Sequence, residues 1–319
     1  MKLTSIWPPF PIIITNAFDD PDSYVLPEDY GFDAAIMHPN RVREIHLFVP
    51  TRSFSRRLAS VTWMQENFPA LTHLTLAPFI DTRNRVPVLP DGFLGGFTPR
   101  LRSLALTFII FPALPKLLMS ATHLVRLILD RIPHSGYFSP EAIVTALAGM
   151  TNLECLFIKF DSHLFFPHRE SRSLSPPTLI VLPTLTRYEF TGASEYLEDF
   201  VTRIDAPSLN STYITFFPQL IFDLPRLAQF MGRITRFHEL KNARVDFAHS
   251  DAYVEILPLA IWTYPVARII DKSSMSCKLR VMNWRRSSES SLAHVFTSFF
   301  PSIYMVDHLH LTYNPSFSQ

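Results

Sequence analysis

One phrase of three apolar residues recurs along the chain and constrains its fold more than any other feature. Two free positions follow the first apolar residue, and one free position separates the second from the third. The clear copies are Val42-Ile45-Leu47, Leu71-Leu74-Leu76, Leu101-Leu104-Leu106, Leu124-Leu127-Leu129, Leu153-Leu156-Ile158, Leu185-Tyr188-Phe190 and Val306-Leu309-Leu311. This spacing is the strand signature of a leucine-rich repeat.

Weaker copies lie between the clear ones, at Leu209-Thr212-Ile214, at Leu240-Ala243-Val245 and at Leu279-Val281. Ten copies then cover the chain at intervals of 23 to 36 residues. A repeat of this kind buries its apolar residues only by stacking on its neighbours. We therefore predict one α/β domain over residues 1–319, an irregular leucine-rich-repeat solenoid (horseshoe) with a parallel sheet on its concave face and helices outside. Residues 1–38 would form an N-terminal capping region.

The segments between the strands predict helices and loops. The clearest helix start is Ser139-Pro140-Glu141, in which an N-cap serine precedes a proline of the first turn. Two segments break the repeat and predict exposed loops, Asp81–Gly96 and an insertion over residues 161–180. The Asn or Cys that follows each strand in regular repeats is missing, so other hydrogen bonds must satisfy the turns. Further helices are predicted over Phe54–Glu66, Ala113–Ser120, Ser194–Ile204, Leu224–Arg233 and Ser291–Phe299.

Composition narrows the class of function. The chain has 29 basic and 28 acidic residues, a balance that argues against a nucleic-acid partner. Its longest apolar stretch, Leu104 to Pro115, is shorter than the roughly 20 residues that a membrane-spanning helix needs. Cys155 and Cys277 lie in distant predicted strands and indicate no disulfide, which favours a cytoplasmic or nuclear protein.

Motifs of catalysis are not recognised in the sequence. Nucleophile elbows, zinc-binding helices and phosphate-binding loops do not occur, so we predict a non-enzymatic protein without cofactor or metal. His308 and His310 alternate on one predicted strand but lack a carboxylate or cysteine at a matching position. An unrecognised hydrolase stays open as an alternative, because catalytic triads assemble from residues far apart in sequence.

Strand alternation places the free positions of each phrase on the concave side of the predicted sheet. Arginine mixed with aromatic residues there is typical of protein-binding hot spots, so we predict a monomer that binds a protein target on this face. The basic C-terminal end favours an acidic or phosphorylated target, or forms a solvated terminal cap. Its residues are Lys278, Arg280, Arg285 and Arg286. The candidate contact residues are Glu44, His46, His73, Arg126, Asp130, Phe157, Lys159, Arg187, Glu189, Tyr213, Arg244, Asp246, Lys278 and Arg280.

Several longer phrases resemble a large fungal family of F-box and leucine-rich-repeat proteins, nearly end to end. They are IWPPFPIII from Ile6, FPALTHL from Phe68, FPALPKLLMSATHL from Phe111, IPHSGY from Ile132, SEYLED from Ser194 and IDAP from Ile204. The resemblance implies a substrate receptor, in which an F-box docks on the Skp adaptor of a cullin ubiquitin ligase and the repeats hold the target.

The resemblance concerns the repeat region, because no F-box helix triplet is recognised ahead of Trp7. Binding of the Skp adaptor and cullin is therefore expected if an F-box is encoded upstream. The alternative is an interaction scaffold that uses the same concave face without a ligase.

Overall fold

The computed structural model of the chain describes residues 10–16, 35, 37–48, 66–78, 86–161, 179–218, 224–240, 242–247, 251–257, 276–282 and 307–313. These residues form an α/β structure with a mostly parallel sheet and four α-helices. The chain divides into two compact units, unit 1 over Met1–Leu153 and unit 2 over Glu154–Gln319. Among the described residues, unit 1 has a sheet of five strands, and the larger sheet of unit 2 has seven.

Unit 1 contains five parallel strands that pair in chain order. Most of them begin two residues after the first apolar residue of a phrase, which confirms where the phrase predicts strands. The second apolar residues of four phrases, Ile45, Leu74, Leu104 and Leu127, pair in register and are buried. The strands are β1 Ile12–Asn16, β2 Val42–Leu47, β3 His73–Leu76, β4 Ser103–Thr107 and β5 Arg126–Ile132.

In the described part of unit 1, two α-helices follow strands, α1 over Leu114–Ser120 and α2 over Pro140–Leu147. The Ser139 side chain accepts a hydrogen bond of 3.2 Å from the backbone N–H of Ala142, which confirms the predicted N-cap. Helix α1 lies against the sheet beside a small cleft. Leu114 of α1 lines this cleft together with Leu106 of β4 and Leu129 of β5. The third apolar residues of these two phrases, Leu106 and Leu129, therefore point toward α1.

The predicted loop Asp81–Gly96 is partly wrong. Its described residues, 86–96, are tied to the segment after β4 by two backbone hydrogen bonds, from Leu89 N to the Ile110 carbonyl at 2.8 Å and from Ile110 N to the Pro87 carbonyl at 2.9 Å. Phe93 and its neighbour Leu94 are fully buried. Because two large apolar side chains lie in this segment, it joins the core instead of extending into solvent.

Unit 2 contains nine strands, seven of which form the sheet in the order β6-β8-β10-β13-β12-β11-β14. Strand β12 is antiparallel to both neighbours, whereas the other pairs are parallel. The short strands β7 and β9 pair separately. The strands are β6 Cys155–Phe160, β7 Ile180–Val181, β8 Arg187–Gly192, β9 Ile204–Asp205, β10 Ser211–Phe216, β11 Asn242–Phe247, β12 Ala252–Leu257, β13 Ser276–Val281 and β14 His308–Tyr313.

This order differs from the simple stacking of repeats that the sequence predicts. The strand next to β10 is β13, not β11, and the unpredicted strand β12 lies between β13 and β11. Only residues 248–251 separate β11 from β12. A parallel crossover needs about a dozen residues or more, so a connection this short returns the chain antiparallel.

Strand β14 departs from the prediction in its burial. Leu309, the second apolar residue of its phrase, is 53% exposed, although the repeat pattern predicts a buried residue. The strand ends the order of the sheet, with β11 as its one neighbour among the described strands. A terminal strand receives contacts from one side only, so its apolar residue is covered less.

Unit 2 has two described helices, and one of them packs on the aromatic residues of a phrase. Helix α3 spans Ser194–Val201 and helix α4 spans Pro225–Arg233, close to the predicted ranges. Tyr188 stacks on Phe200 of α3, and Phe190 stacks on Tyr196, each at a ring distance of 5.8 Å. The apolar side of β8 therefore faces α3, and strand alternation directs the free positions of β8 to the opposite side.

Hydrogen bonds between successive repeats satisfy backbone groups at the start of β4 and at the start of α4. The Thr72 carbonyl accepts from the backbone N–H groups of Arg102, at 2.8 Å, and Ser103, at 3.0 Å. Glu198 of α3 is buried, and its carboxylate accepts from the first backbone N–H groups of α4, at 3.0 Å from Arg226 and 2.8 Å from Leu227. A carboxylate there suits the positive end of the helix dipole.

Several predicted segments lie wholly or mostly outside the described residues. The helix over Ser291–Phe299 does, as does the helix over Phe54–Glu66 apart from Glu66. Of the capping region, residues 10–16, 35, 37 and 38 are described. Of the insertion over 161–180, the described residues are 161, 179 and 180, and Ile180 is buried in β7 rather than exposed.

Candidate protein-binding surfaces

Each unit presents a sheet face opposite its helices, formed by the free positions of the phrases. We call them the unit 1 open face and the unit 2 open face. The unit 1 open face comprises Glu44, His46, His73, Thr75, Arg126 and Asp130. The unit 2 open face comprises Phe157, Lys159, Arg187, Glu189, Tyr213, Arg244, Asp246, Lys278 and Arg280, with Asp251, Tyr253 and Glu255 from β12 and the residue before it. All fourteen predicted contact residues lie on these two faces.

The unit 1 open face carries a small cluster of two histidines around one carboxylate. Glu44 Oε2 lies 3.2 Å from His46 Nε2, and Glu44 Oε1 lies 3.7 Å from His73 Nδ1 on the next strand. His46 Nδ1 lies 3.2 Å from the Thr75 hydroxyl. All four residues are half-buried, so these contacts are screened by water and contribute at most about 1 kcal/mol each.

Two further candidates lie on β5. Arg126 is exposed at the start of the strand, and Asp130 is half-buried near its end. The Asp130 carboxylate lies 3.7 Å from Nε of Arg131, the next residue, which adopts a left-handed backbone with φ of 48°. Arg126 is thus the most accessible basic side chain among the predicted contacts of unit 1.

The unit 2 open face has its first charged cluster on β6 and β8. Glu189 is buried and paired with two cations, Lys159 Nζ at 2.7 Å and Arg187, whose Nε donates to Oε1 at 3.0 Å and whose Nη2 is also bonded. Both cations lie over the ring of Phe157, at 5.4 Å for Lys159 and 5.0 Å for Arg187. Phe157 is only 7% exposed, so its ring supports the cations from below and offers little surface to a partner.

The second cluster involves residues that the sequence did not identify. Arg280 of β13 donates from Nε to Asp251 Oδ2 at 3.1 Å and lies 5.4 Å above the ring of Tyr253. The Tyr253 hydroxyl donates to the same carboxylate oxygen at 3.3 Å. Glu255 pairs with Lys278 Nζ at 2.5 Å. Asp251, Tyr253 and Glu255 went unrecognised because β12 carries no repeat phrase, although Tyr253 and Glu255 alternate with buried Val254 and Ile256 as in a half-buried strand.

The protonation states in this cluster follow from the geometry. Burial lowers the pKa of Arg280, but the hydrogen bond and charge of Asp251 outweigh that effect and raise the pKa above its ordinary value. Burial also raises the pKa of Tyr253, with Arg280 opposing the shift and Asp251 adding to it. Near neutral pH, Arg280 is therefore a cation and the Tyr253 hydroxyl is a neutral donor.

Strand register arranges the two clusters in one row across unit 2. The row consists of residues at paired positions on adjacent strands, in the order Phe157, Glu189, Tyr213, Lys278 and Glu255. Half-buried Tyr213 therefore lies between the first cluster and the second. The row continues to Arg244 on β11, whose Nε lies 2.8 Å from the Asp246 carboxylate, and then to exposed His310 on β14.

Within the described ranges, no group of three or more His, Cys, Asp or Glu side chains is arranged to hold a metal ion. The cleft beside α1 is mostly apolar, with Asp130 as the ionisable side chain in its lining. Among the described helices, none combines the length and the apolar character that crossing a bilayer demands.

No protein-family model matches the chain, and no curated protein matches it either.

Proposed function

We propose that the chain is a non-catalytic protein-binding module built as an irregular leucine-rich-repeat solenoid. The observation that carries this proposal is the division of each unit into two sides. One side of the strands is buried under helices, and the other presents ordered charged and aromatic residues at the free positions of the repeat. Arginine and tyrosine at such positions are typical of residues that dominate binding energy.

We propose further that the module recognises substrates for a Skp–cullin–F-box ubiquitin ligase. The support is the resemblance of the phrases from Phe68, Phe111 and Ser194 to F-box and leucine-rich-repeat proteins. In this role the open faces would hold the target, and an F-box would bind the Skp adaptor. An interaction scaffold without a ligase would use the same faces.

Affinity purification of the tagged full-length gene product from its own cells tests the ligase role. Recovery of the Skp adaptor and cullin together with a target is the expected result. Recovery of a target without adaptor or cullin would contradict the ligase role and favour the scaffold.

Alanine variants of the open faces test the binding function itself. The variants are Arg126→Ala for unit 1 and Arg187→Ala with Tyr213→Ala for unit 2, while Phe157 stays intact because it is buried. At least one variant should abolish recovery of the target and change the melting temperature by no more than a few degrees. Arg226→Ala on α4 is the control, because it removes an arginine from an ion pair with Asp199 on the helical side. Unchanged recovery in all variants would overturn the proposal.

A further inference from the structure

In two ion pairs of the unit 2 open face, the acid lies deeper than its arginine partner. The Glu189 side chain is 8% exposed, whereas that of its partner Arg187 is 37% exposed. Asp251 is 11% exposed and its partner Arg280 is 31% exposed. Because the acid of each pair lies deeper, the groups that an approaching molecule meets first are guanidinium groups.

These guanidinium groups keep donors for a further acceptor. Arg187 bonds Glu189 through Nε and Nη2, and Arg280 bonds Asp251 through the same two nitrogen atoms. A guanidinium carries more N–H groups than these two bonds use. Each arginine is also fixed over an aromatic ring, of Phe157 or of Tyr253, so little side-chain entropy is lost when an acceptor binds.

The two arginines are spaced for an extended chain. Arg187 is on β8 and Arg280 on β13, with β10 and its Tyr213 between them. Neighbouring strands are about 4.8 Å apart, so β8 and β13 are separated by about 10 Å. Register adds an offset along the strands, because Arg187 pairs with Ser211 of β10 and Arg280 pairs with Thr215, four residues further on. Four residues of strand span about 13 Å, so the two arginine positions are about 16 Å apart on a diagonal that passes Tyr213. About five residues of extended chain cover that distance.

The charge balance of the face favours carboxylates over a nucleic-acid backbone. The cations Lys159, Arg187, Arg244, Lys278 and Arg280 are nearly matched by the acids Glu189, Asp246, Asp251 and Glu255. Binding along a phosphate backbone depends on excess positive charge that displaces counterions. Recognition here depends instead on a few exposed, oriented N–H groups, which match single carboxylates.

We propose that the unit 2 open face binds an acidic peptide segment that crosses the strands. One carboxylate binds Arg187, a second binds Arg280, and the residues between them lie over Tyr213. This inference rests on the proposed protein-binding function and specifies the chemistry of the partner segment.

The probe is a fluorescein-labelled peptide of about ten residues, all glycine or serine except for two glutamates whose positions differ by about five. The control peptide carries glutamine at those positions. Fluorescence anisotropy with the full chain at low salt should show binding of the glutamate peptide at least about tenfold tighter than the glutamine peptide. Its affinity should fall as salt is added, because exposed charges are screened.

Substitutions locate the peptide. Arg187→Gln and Arg280→Gln should each weaken glutamate-peptide binding by about tenfold, the loss expected for one charge-assisted hydrogen bond. Arg226→Gln is the matched control: it also removes one arginine from an ion pair with an aspartate, and should leave the affinity unchanged. If the glutamine variants do not fold, Arg187→Lys and Arg280→Lys keep a charge beside the buried acid and remove the fork of outer donors, and should still weaken binding several-fold.

Equal binding of the two peptides, or equal weakening by Arg226→Gln, would overturn the inference. Tighter binding of a single-stranded oligonucleotide of similar length, lost in the same variants, would also overturn it and assign the face to nucleic acid. A natural target whose recovery requires Arg187 and Tyr213, combined with no binding of the glutamate peptide, would reject the acidic segment and leave the binding function standing. Glutamate-peptide binding with no target that depends on the open faces would reject the proposed function instead.

Discussion

Unit 1 and unit 2 use the same apolar phrase but arrange its strands differently. In unit 1, β1 to β5 pair in chain order and all run parallel. In unit 2, β6, β8 and β10 also follow chain order, but β13 comes next and antiparallel β12 separates it from β11. The phrase therefore predicts where a strand forms and which side it buries, but it does not predict which strand becomes its neighbour.

The largest change in the free energy of unfolding should come from truncating one buried leucine in each unit. Leu74 of β3 and Leu279 of β13 are each 1% exposed, one in a strand that follows chain order and one in a strand that does not. Leu74→Ala and Leu279→Ala should each lower the free energy of unfolding by about 2–5 kcal/mol, because each leaves a cavity. Urea denaturation measures both.

Leu309→Ala on terminal strand β14 is the matched control, since this leucine is 53% exposed. Its effect should stay within about 0.5 kcal/mol. A small effect of Leu279→Ala would contradict the placement of β13 inside the sheet. A large effect of Leu309→Ala would contradict the difference between interior and terminal strands.

Sequence reasoning succeeded where the signal is local. The phrase located the strands, and Ser139-Pro140-Glu141 located the start of α2 with its cap. It failed for β12, because a template with a period of about 29 residues assigns no strand to a segment with two-residue alternation. The antiparallel return was also missed, although the four residues between β11 and β12 leave no room for a crossover.

On the candidate surfaces too, contacts within one strand can be predicted from the sequence, whereas contacts between distant strands cannot. Arg187 and Glu189 are two residues apart on one strand, so a contact between them follows from alternation alone. Asp251 and Arg280 meet only because β12 pairs with β13. Burial of Phe157 beneath Lys159 and Arg187 was likewise hidden, since it depends on the conformations of two long side chains.

Removing a helix cap should change the free energy of unfolding by an intermediate amount. The two units cap a helix in different ways. In unit 1, α2 is capped by the preceding residue, Ser139, whereas in unit 2 the first N–H groups of α4 are bonded by Glu198 from α3. Glu198→Ala should lower the free energy of unfolding by about 1–3 kcal/mol, because it leaves two N–H groups without their acceptor. Ser139→Ala should cost about 0.5–2 kcal/mol.

Chemical denaturation of both variants provides the measurement, with Glu195→Ala on the exposed side of α3 as the control. The control should change stability by no more than about 0.5 kcal/mol. If Glu198→Ala is as mild as Glu195→Ala, the carboxylate is not the cap that joins α3 to α4.

The effect that is smallest near neutral pH concerns thiols, which report on unit 2 alone because Cys155 and Cys277 are the two cysteines of the chain. Burial raises the pKa of Cys277 to about 12, whereas an unfolded thiol titrates near about 8.5. Between these values the unfolded state releases its proton and the folded state keeps it. The stability that the neutral thiol contributes is complete below about pH 8.5 and decreases as the pH rises toward 12.

At pH 10 this difference amounts to about 2 kcal/mol of lost stability relative to pH 8. Cys277→Ala should reduce the dependence of unfolding free energy on pH in this range, whereas Cys155→Ala, at a half-buried position, should reduce it less. Thiol labelling of the native protein should modify Cys155 well before Cys277, because the thiolate is the reactive form. Simultaneous labelling of both would place β13 at an accessible edge of unit 2 and remove the contrast with the chain-ordered strands of unit 1.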